Sequence, residues 1–596
     1  MPALPLKSSD LMESSVPEIA VAPPPTAERP RELTFRALAY GVVVGAVLSA
    51  GNVYSGLKTG FIDGGSIMAA LIAFAFFAMI RRLSPASFGE RENNIAQTTA
   101  ASASIMGFAI GLPSSFPALQ LMGFSYAPWA LSAWGLGLGI IGIFVAAKLR
   151  EKLVRVDKLP FPTGAATAEV IETLATARQT GMSRAVLLIT AAVLAAAFAW
   201  FRDGKPAVIP QAWMVDAVIA GSALSALTVG INWSPMMISI GMLMGARAGL
   251  SMLLGAVISW IVIAPQLVHT GLVAGANYSA LNGWLIWPGV GMLIAGSFVP
   301  ILADWRAIAR SFGDLVGLLA RQAPRSAPVD DLPAGKTLLV LSFGVVVVLG
   351  VAVFHVGFAV PIIGLLFALV LANVCARSAG ETDMAPTGAF GTITQLVLTG
   401  NGLSGSVLGG SIVAGAAAQT SQTLWAFKAG ERLDGSPRAQ LKAQLLGCIV
   451  GSVTAVPAYY LITRAYGIAT VALPTPSALS WKATAEAVQH GLSAMPPYSP
   501  AAGLIGFALG LVLALLLRTR FGRFVPLPTA MGMAIITPFS LSMSMCVGGL
   551  IVALARKARP SSEPTVMAIA AGGLAGESVM GVVIAALIAS GLLAPG

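Results

Sequence analysis

The sequence predicts an all-α polytopic membrane protein of about sixteen transmembrane helices. It predicts two tandem parallel halves of about eight helices each, with re-entrant or broken segments. Three observations lead there. Only 10% of the 596 residues are charged, against roughly 25% in soluble domains. The mean hydropathy is +0.82. Apolar runs also recur at the length of a spanning helix, roughly 18 residues: Val566–Pro595 holds one charge, Glu577, while Thr337–Val353 and Ser251–Gln266 hold none.

The elements follow in order. Residues 1–32 are polar and Pro-rich and lack the basic start and apolar core of a signal peptide. They are expected to form a disordered cytoplasmic tail. A first transmembrane half is expected over 33–305, a cytoplasmic linker over 306–336 and a second half over 337–596. Arg29, Arg31 and Arg36 precede a span at about 35–57, and Arg81, Arg82 and Arg91 follow the next one. The 113–128 loop is uncharged, and Lys148, Arg150, Lys152, Arg155 and Lys158 follow the fourth span. Basic and neutral loops alternate, which puts the basic ones and the N-terminus in the cytoplasm. Further spans are expected near 184–201, 213–231, 248–264 and 284–302.

Leu159–Ala177 lies between two basic stretches and opens with Pro160 and Pro162, residues that break a helix. It reads as a re-entrant hairpin or an amphipathic surface helix, and the hairpin is the favoured expectation. Its sequence L-P-F-P-T-G-A-A-T-A-E-V is echoed by L-P-T-P-S-A-L-S-W-K-A-T-A-E-A-V from Leu473. Paired broken segments in two halves point to a transporter's substrate site. Three more parallels follow the same order: Gln97-Thr98 with Gln419-Thr420, S-P-M-M-I-S-I-G from Ser234 with L-P-T-A-M-G-M-A from Leu527, and Gly289–Gly296 with Gly572–Glu577. In the third of the four, Ser251, Met252 and Gly255 match Ser544, Met545 and Gly548.

E-N-N-I-A-Q-T-T-A-S-A-S, L-P-F-P-T-G-A-A-T-A-E-V, A-G-A-A-A-Q-T-S-Q-T-L-W-A-F-K-A-G, G-S-P-R-A-Q-L-K-A-Q-L-L-G and A-G-G-L-A-G-E-S-V-M-G resemble motifs of the oligopeptide transporter (OPT) family. The resemblance runs from about Glu32 to the C-terminus. It implies a proton-driven secondary transporter of small peptides, glutathione-like thiols or, in the yellow-stripe-like branch, metal–chelate complexes. Where relatives often carry an acidic residue after the second A-x-x-Q-S/T motif, this chain has Thr423, Leu424 and Trp425.

Glu577 is the first candidate for proton coupling. An anion at that depth costs about 2.5–3.5 kcal/mol on translocon scales, and a desolvated carboxylate can bind and release a proton. The alternatives are a structural hydrogen-bond hub and a direct substrate contact. Glu169 and Glu486, with Pro160, Pro162 and Thr163, read either as a gate or as interfacial charge and breakage. Gln97, Thr98, Ser102, Gln419, Thr420, Ser421 and Gln422 suit a cavity for an amide-rich ligand, or serve as interhelical polar glue worth about 0.6 kcal/mol each. Glu92, Asn93 and Asn94 fit a helix start as well as a site. Lys58 is expected in an extracytoplasmic turn, where it could attract an anionic substrate end.

Several function classes are excluded. Basic residues do not interleave with aromatics, so the net charge of +11 does not signal nucleic acid. Cys375, Cys448 and Cys546 are isolated, and His269, His355 and His490 form no cluster, so no resident metal or cofactor is expected. There is no phosphate-cradling G-x-x-x-x-G-K-S/T and no H-E-x-x-H. The chain therefore reads as a transporter and not an enzyme, with a passive pore for small polar solutes as the alternative. The expected partners are a peptide or chelate substrate, protons, the lipid bilayer and, through small-residue faces, further copies of the chain. The expected location is a membrane of the bacterial inner (plasma) type.

Overall fold

The computed structural model describes residues 32–61, 64–80, 89–176, 178–303, 335–383, 385–491 and 495–594. The tail expected over 1–32 and the linker expected over 306–336 lie almost wholly outside these. The described chain is a polytopic helical assembly. Among the described residues twelve helices are long and apolar enough to cross a membrane, or thirteen if one bent pair counts as a span. Two departures from the expected spans stand out among the described residues. Pro235–Met244 is too short to cross alone, and the span expected at 213–231 is absent. That stretch instead makes two short antiparallel ribbons, Ala212–Met214 with Gly230–Asn232 and Val218–Ile219 with Ser222–Ala223. Asp216 and the turn at Ala220-Gly221 interrupt its apolar run.

The first helix, α1 (Phe35–Thr59), starts where Thr34 Oγ1 accepts from the Ala37 N–H and stops at Gly60, whose φ of 74° is left-handed. Next come α2 (Ser66–Ile80), α3 (Glu90–Ser104), α4 (Met106–Ile110) and α5 (Ser115–Leu121), then α6 (Pro128–Arg150), which a wider turn extends through Val156. The helix α7 (Pro162–Thr176) leads to α8 (Arg178–Asp203). Leu159–Thr176 therefore holds one continuous helix and no hairpin. Ser234 caps α9 (Pro235–Met244), which is followed by α10 (Ala246–Ala256), α11 (Ala264–His269) and α12 (Tyr278–Ala303).

After residue 334 come α13 (Gly335–Val348), α14 (Ala359–Thr382), α15 (Thr387–Val397) and α16 (Gly402–Arg432), the last two bent by 69°. The chain ends with α17 (Pro437–Tyr466), α18 (Pro476–His490), α19 (Ser499–Leu516), α20 (Pro528–Ile536), α21 (Phe539–Ala558) and α22 (Glu563–Ala589). Small residues bring these helices together, as is usual where lipid supplies no hydrophobic drive. A Cβ on Gly447 of α17 would strike the Thr99 carbonyl of α3, and one on Gly415 of α16 would strike the Ala109 carbonyl of α4.

Candidate functional site

Glu577 lies midway along α22 and is fully buried. Its carboxylate sits at the N-terminus of α9, where the backbone N–H groups are free and the helix dipole favours an anion. The Met236 N–H donates to Oε2 at 2.8 Å, and the Ser234 hydroxyl lies 2.8 and 2.9 Å from the two oxygens. The same hydroxyl accepts the Met237 N–H at 3.1 Å, so Ser234 caps α9 and holds Glu577 at once.

The carboxylate is also ion-paired, which its apolar sequence surroundings did not suggest. Arg202, at the end of α8, donates from Nη2 to Oε1 at 2.8 Å. Its guanidinium further grips Asp203 at 2.9 and 2.5 Å and gives Nη1–H to the Trp233 carbonyl at 2.8 Å. Lys58 lies 3.8 Å from Glu577 and donates to the Tyr54 hydroxyl at 3.1 Å. Lys58 is therefore buried in the last turn of α1 and not in an exposed turn, because α22 comes close enough to enclose it. Gly581 makes that approach possible: a Cβ there would enter the Tyr54 ring. Two carboxylates and two cations balance formally. Burying charge is costly unless it is paired and hydrogen-bonded, and this cluster meets both conditions.

A second buried polar group joins α3, α16 and α17. The Ser102 hydroxyl donates to the Gln444 carbonyl at 2.8 Å and accepts from Gln419 Nε2 at 2.9 Å. Thr423 Oγ1 lies 3.4 Å from Gln444 Oε1. Gln422 donates to Ser66 at 3.0 Å. Four amide atoms in this group, Gln97 Nε2, Gln419 Oε1, Gln422 Oε1 and Gln444 Nε2, have no hydrogen-bond partner among the described residues. Thr98 leans on Gln97 at 3.4 Å, while Thr420 and Ser421 bond back to their own helix at Ala416 and Ala417. Thr420 also reaches the Gly142 carbonyl of α6 at 3.1 Å, so neither hydroxyl has a free donor.

The broken segments dock on helix ends. The Phe161 N–H, just before Pro162, donates to the Gly380 carbonyl of α14 at 2.9 Å. Asp383 caps α7, accepting the Thr163 N–H at 3.0 Å and its hydroxyl at 2.6 Å. Arg377 of α14 donates to Asp157 at 2.7 Å, and Lys152 pairs with Asp157 at 3.0 Å. Burial works against the Asp157 carboxylate, but the hydrogen bonds from Lys152 and Arg377 win and hold it below the usual aspartate range. Pro160, Pro162 and Glu169 are exposed, whereas Glu486 is half-buried and pairs with Lys482 at 3.3 Å. Glu92 takes hydrogen bonds from Thr34 (2.7 Å), Arg36 (2.8 Å) and the Gly89 N–H (3.3 Å). It is a helix start that also ties α3 to α1. Asn93 reaches the Ala70 carbonyl and Asn94 reaches Gln440, each at 3.5 Å.

The OPT oligopeptide transporter protein family matches residues 32–588 of this sequence. The chain belongs to that family. Among relatives of this OPT chain, the metal-nicotianamine transporter YSL1 of Arabidopsis thaliana is 25% identical, with 95% of this chain and 92% of the relative covered. The iron-phytosiderophore transporter YSL15 of Oryza sativa subsp. japonica is 25% identical over 92% of this chain and 90% of its own length. The putative oligopeptide transporter YGL114W of Saccharomyces cerevisiae is 23% identical over 90% and 93%. The family thus includes the yellow-stripe-like metal-nicotianamine transporters, and this member is a transporter and not an enzyme. Among the described residues no three His, Cys, Asp or Glu side chains stand together as a metal site.

Sequence reasoning missed Arg202, Asp203, Ser234 and Tyr54. A signal was present: Arg202-Asp203 ends the apolar run A-A-A-F-A-W-F, and Ser234 precedes Pro235 as a helix cap would.

Proposed function

We propose that this chain is a proton-coupled secondary transporter that moves short peptides or peptide-like metal chelates by alternating access, with its N-terminus in the cytoplasm. Membership of the OPT family supports the substrate class, as do relatives named for metal-nicotianamine and oligopeptide transport. The coupling rests on Glu577, a fully buried carboxylate whose contacts with Arg202, Ser234 and the start of α9 favour the anion, so those contacts must loosen before it takes a proton. In this reading, protonating Glu577 removes its hold on Arg202, which stays paired with Asp203, and frees α22 to shift against α8 and α9. The partly unsatisfied amides Gln97, Gln419, Gln422 and Gln444 line the path, donating to and accepting from a ligand rich in carboxylate and amide groups.

Purified protein in liposomes tests this with a metal–nicotianamine chelate and with glutathione as probes. Acidifying the outer buffer, which sets an inward proton gradient, should drive uphill uptake of one of them. Glu577→Gln should lose that uphill uptake by at least tenfold while retaining exchange of internal for external substrate. Uptake indifferent to the pH gradient in the parent protein would overturn the reading.

A further inference from the structure

We infer that the two halves form an inverted repeat, threaded through each other, whose two proline-broken segments close opposite faces of the membrane. The first observation is a backbone coincidence. Phe161 and Thr475 each precede a helix-opening proline and have φ of 42° and 45°, a region that non-glycine residues rarely enter. The Phe161 N–H donates to Gly380 O and the Thr475 N–H to Leu57 O, both at 2.9 Å. Gly380 and Leu57 each lie three residues before a left-handed cap, Asp383 (φ 65°) and Gly60 (φ 74°). Thr382 and Thr59 each bond back one turn, to Ser378 and Ser55. So α7 of the first half docks on α14 of the second as α18 of the second docks on α1 of the first.

The exchange recurs elsewhere. Gly41 of α1 abuts Ala96 and Thr99 of α3, and Gly364 of α14 abuts Gly409 and Ile412 of α16. A Cβ on Gly255 would meet the Met531 carbonyl, and one on Gly548 would meet the Ile238 carbonyl. These pairs are the same two positions with the halves swapped, in the register of the Ser234 and Leu527 motifs.

Direction decides the symmetry. The equivalent helices α10 and α21 run antiparallel: Gly549 faces Gly245 and Ala246, while Gly249 faces Met545 and Cys546. The stretch α3–α4 and its equivalent α16 also cross antiparallel, Ser102 of α3 at Gln419 and Ala109 of α4 at Gly415. A two-fold axis relating antiparallel helices lies across them, in the membrane plane, as in inverted-repeat transporters. Among the described residues α13 is the crossing helix without a counterpart, and one unmatched crossing turns the second copy over. This replaces the parallel halves expected from the sequence. It also places the Phe161 docking at the face carrying Lys148, Arg150 and Lys152, and the Thr475 docking at the opposite face.

The termini give a direct consequence. Here α22 runs parallel to α1, Ser578 beside Gly51 and Gly581 beside Tyr54. Thus α1 starts at one face and α22 ends at the other. In sealed vesicles of known orientation, epitopes fused to residue 1 and to residue 596 of the full chain should be reached by antibody from opposite sides. A membrane-impermeant maleimide should label Glu169→Cys on α7 only from the N-terminal side, and Gln489→Cys on α18 only from the C-terminal side. Both positions are exposed, so folding is spared. Termini on one side, or both cysteines labelled from one side, would overturn the inference. Neither readout measures transport, so the result stands apart from the fate of the proton-coupled reading.

Discussion

Where Thr475 docks on α1, the nearby charges are sealed: the Glu577, Arg202 and Lys58 side chains are 0%, 2% and 9% exposed. Where Phe161 docks on α14, Arg377 is as buried at 5%, but its partners are wetter: Asp157 keeps 19% of its side-chain surface, Glu381 30% and Lys152 44%, against 15% for Asp203 at the other end. Equivalent backbone positions carry different chemistry. Tyr54 and Lys58 stand on α1 where Arg377 and Glu381 stand on α14. A sealed ion cluster resists salt and opens only if its charge balance changes. A half-exposed one can yield to ions and pH. Under the proposed coupling, the proton-responsive step falls at the Glu577 end and the Arg377 end acts as a softer latch.

The largest effect should come from unbalancing the sealed end. Arg202→Ala leaves Glu577 and Asp203 facing Lys58 alone, and removing one partner of a buried pair costs about 3–5 kcal/mol. Thermal unfolding in detergent should fall steeply. Adding Glu577→Gln should restore much of the loss, since the orphaned charge goes with it. No recovery in the double variant would break the assignment of Arg202 as the counter-ion. At the other end, Asp383→Ala removes two hydrogen bonds to Thr163, a capping loss of about 1–2 kcal/mol. It should show as faster hydrogen exchange in α7 with the rest of the chain little changed.

The pH response sharpens the contrast. Asp157 is held below its ordinary range by Lys152 and Arg377. Its contribution is fully present above the unfolded value, near 3.8 for an aspartate. It fades as pH falls through the lower folded value. The Arg377 latch should therefore weaken only below about pH 4, and high salt should weaken it further. Melting curves of the parent and of Asp157→Asn should converge in that acid range. The smallest effect belongs to Glu169→Gln. Its side chain is exposed, and the melting temperature should hold within about 0.5 kcal/mol of equivalent stability.

Much of this was legible in sequence. Apolar runs located most spans, and L-P-x-P located both docking segments, because proline constrains the backbone whatever surrounds it. The parallel from Ser234 and Leu527 survives as reciprocal contacts at Ile238 and Met531. The parallel of Gln97 with Gln419 does not. Packing against Gly41 and Gly364 sets Gln97 opposite Gly410, nine residues earlier, because alanine-rich stretches match at many registers. Arg202 as the partner of Glu577 was also hidden, since a pair 375 residues apart leaves no local pattern. The apolar content of 213–231 resembled a span, yet its turns folded it into ribbons.

If the proposed alternating access runs on the inverted repeat, the two docking segments open in turn. The most direct measurement joins Thr163→Cys to Asp383→Cys by oxidation, with Ser477→Cys in the same chain as the reporter. Ser477 lies against Gly60 at the other docking end. Locking the Arg377 end should raise the maleimide labelling rate of Ser477→Cys severalfold, and reduction should reverse it. A labelling rate unchanged by the lock would contradict the account.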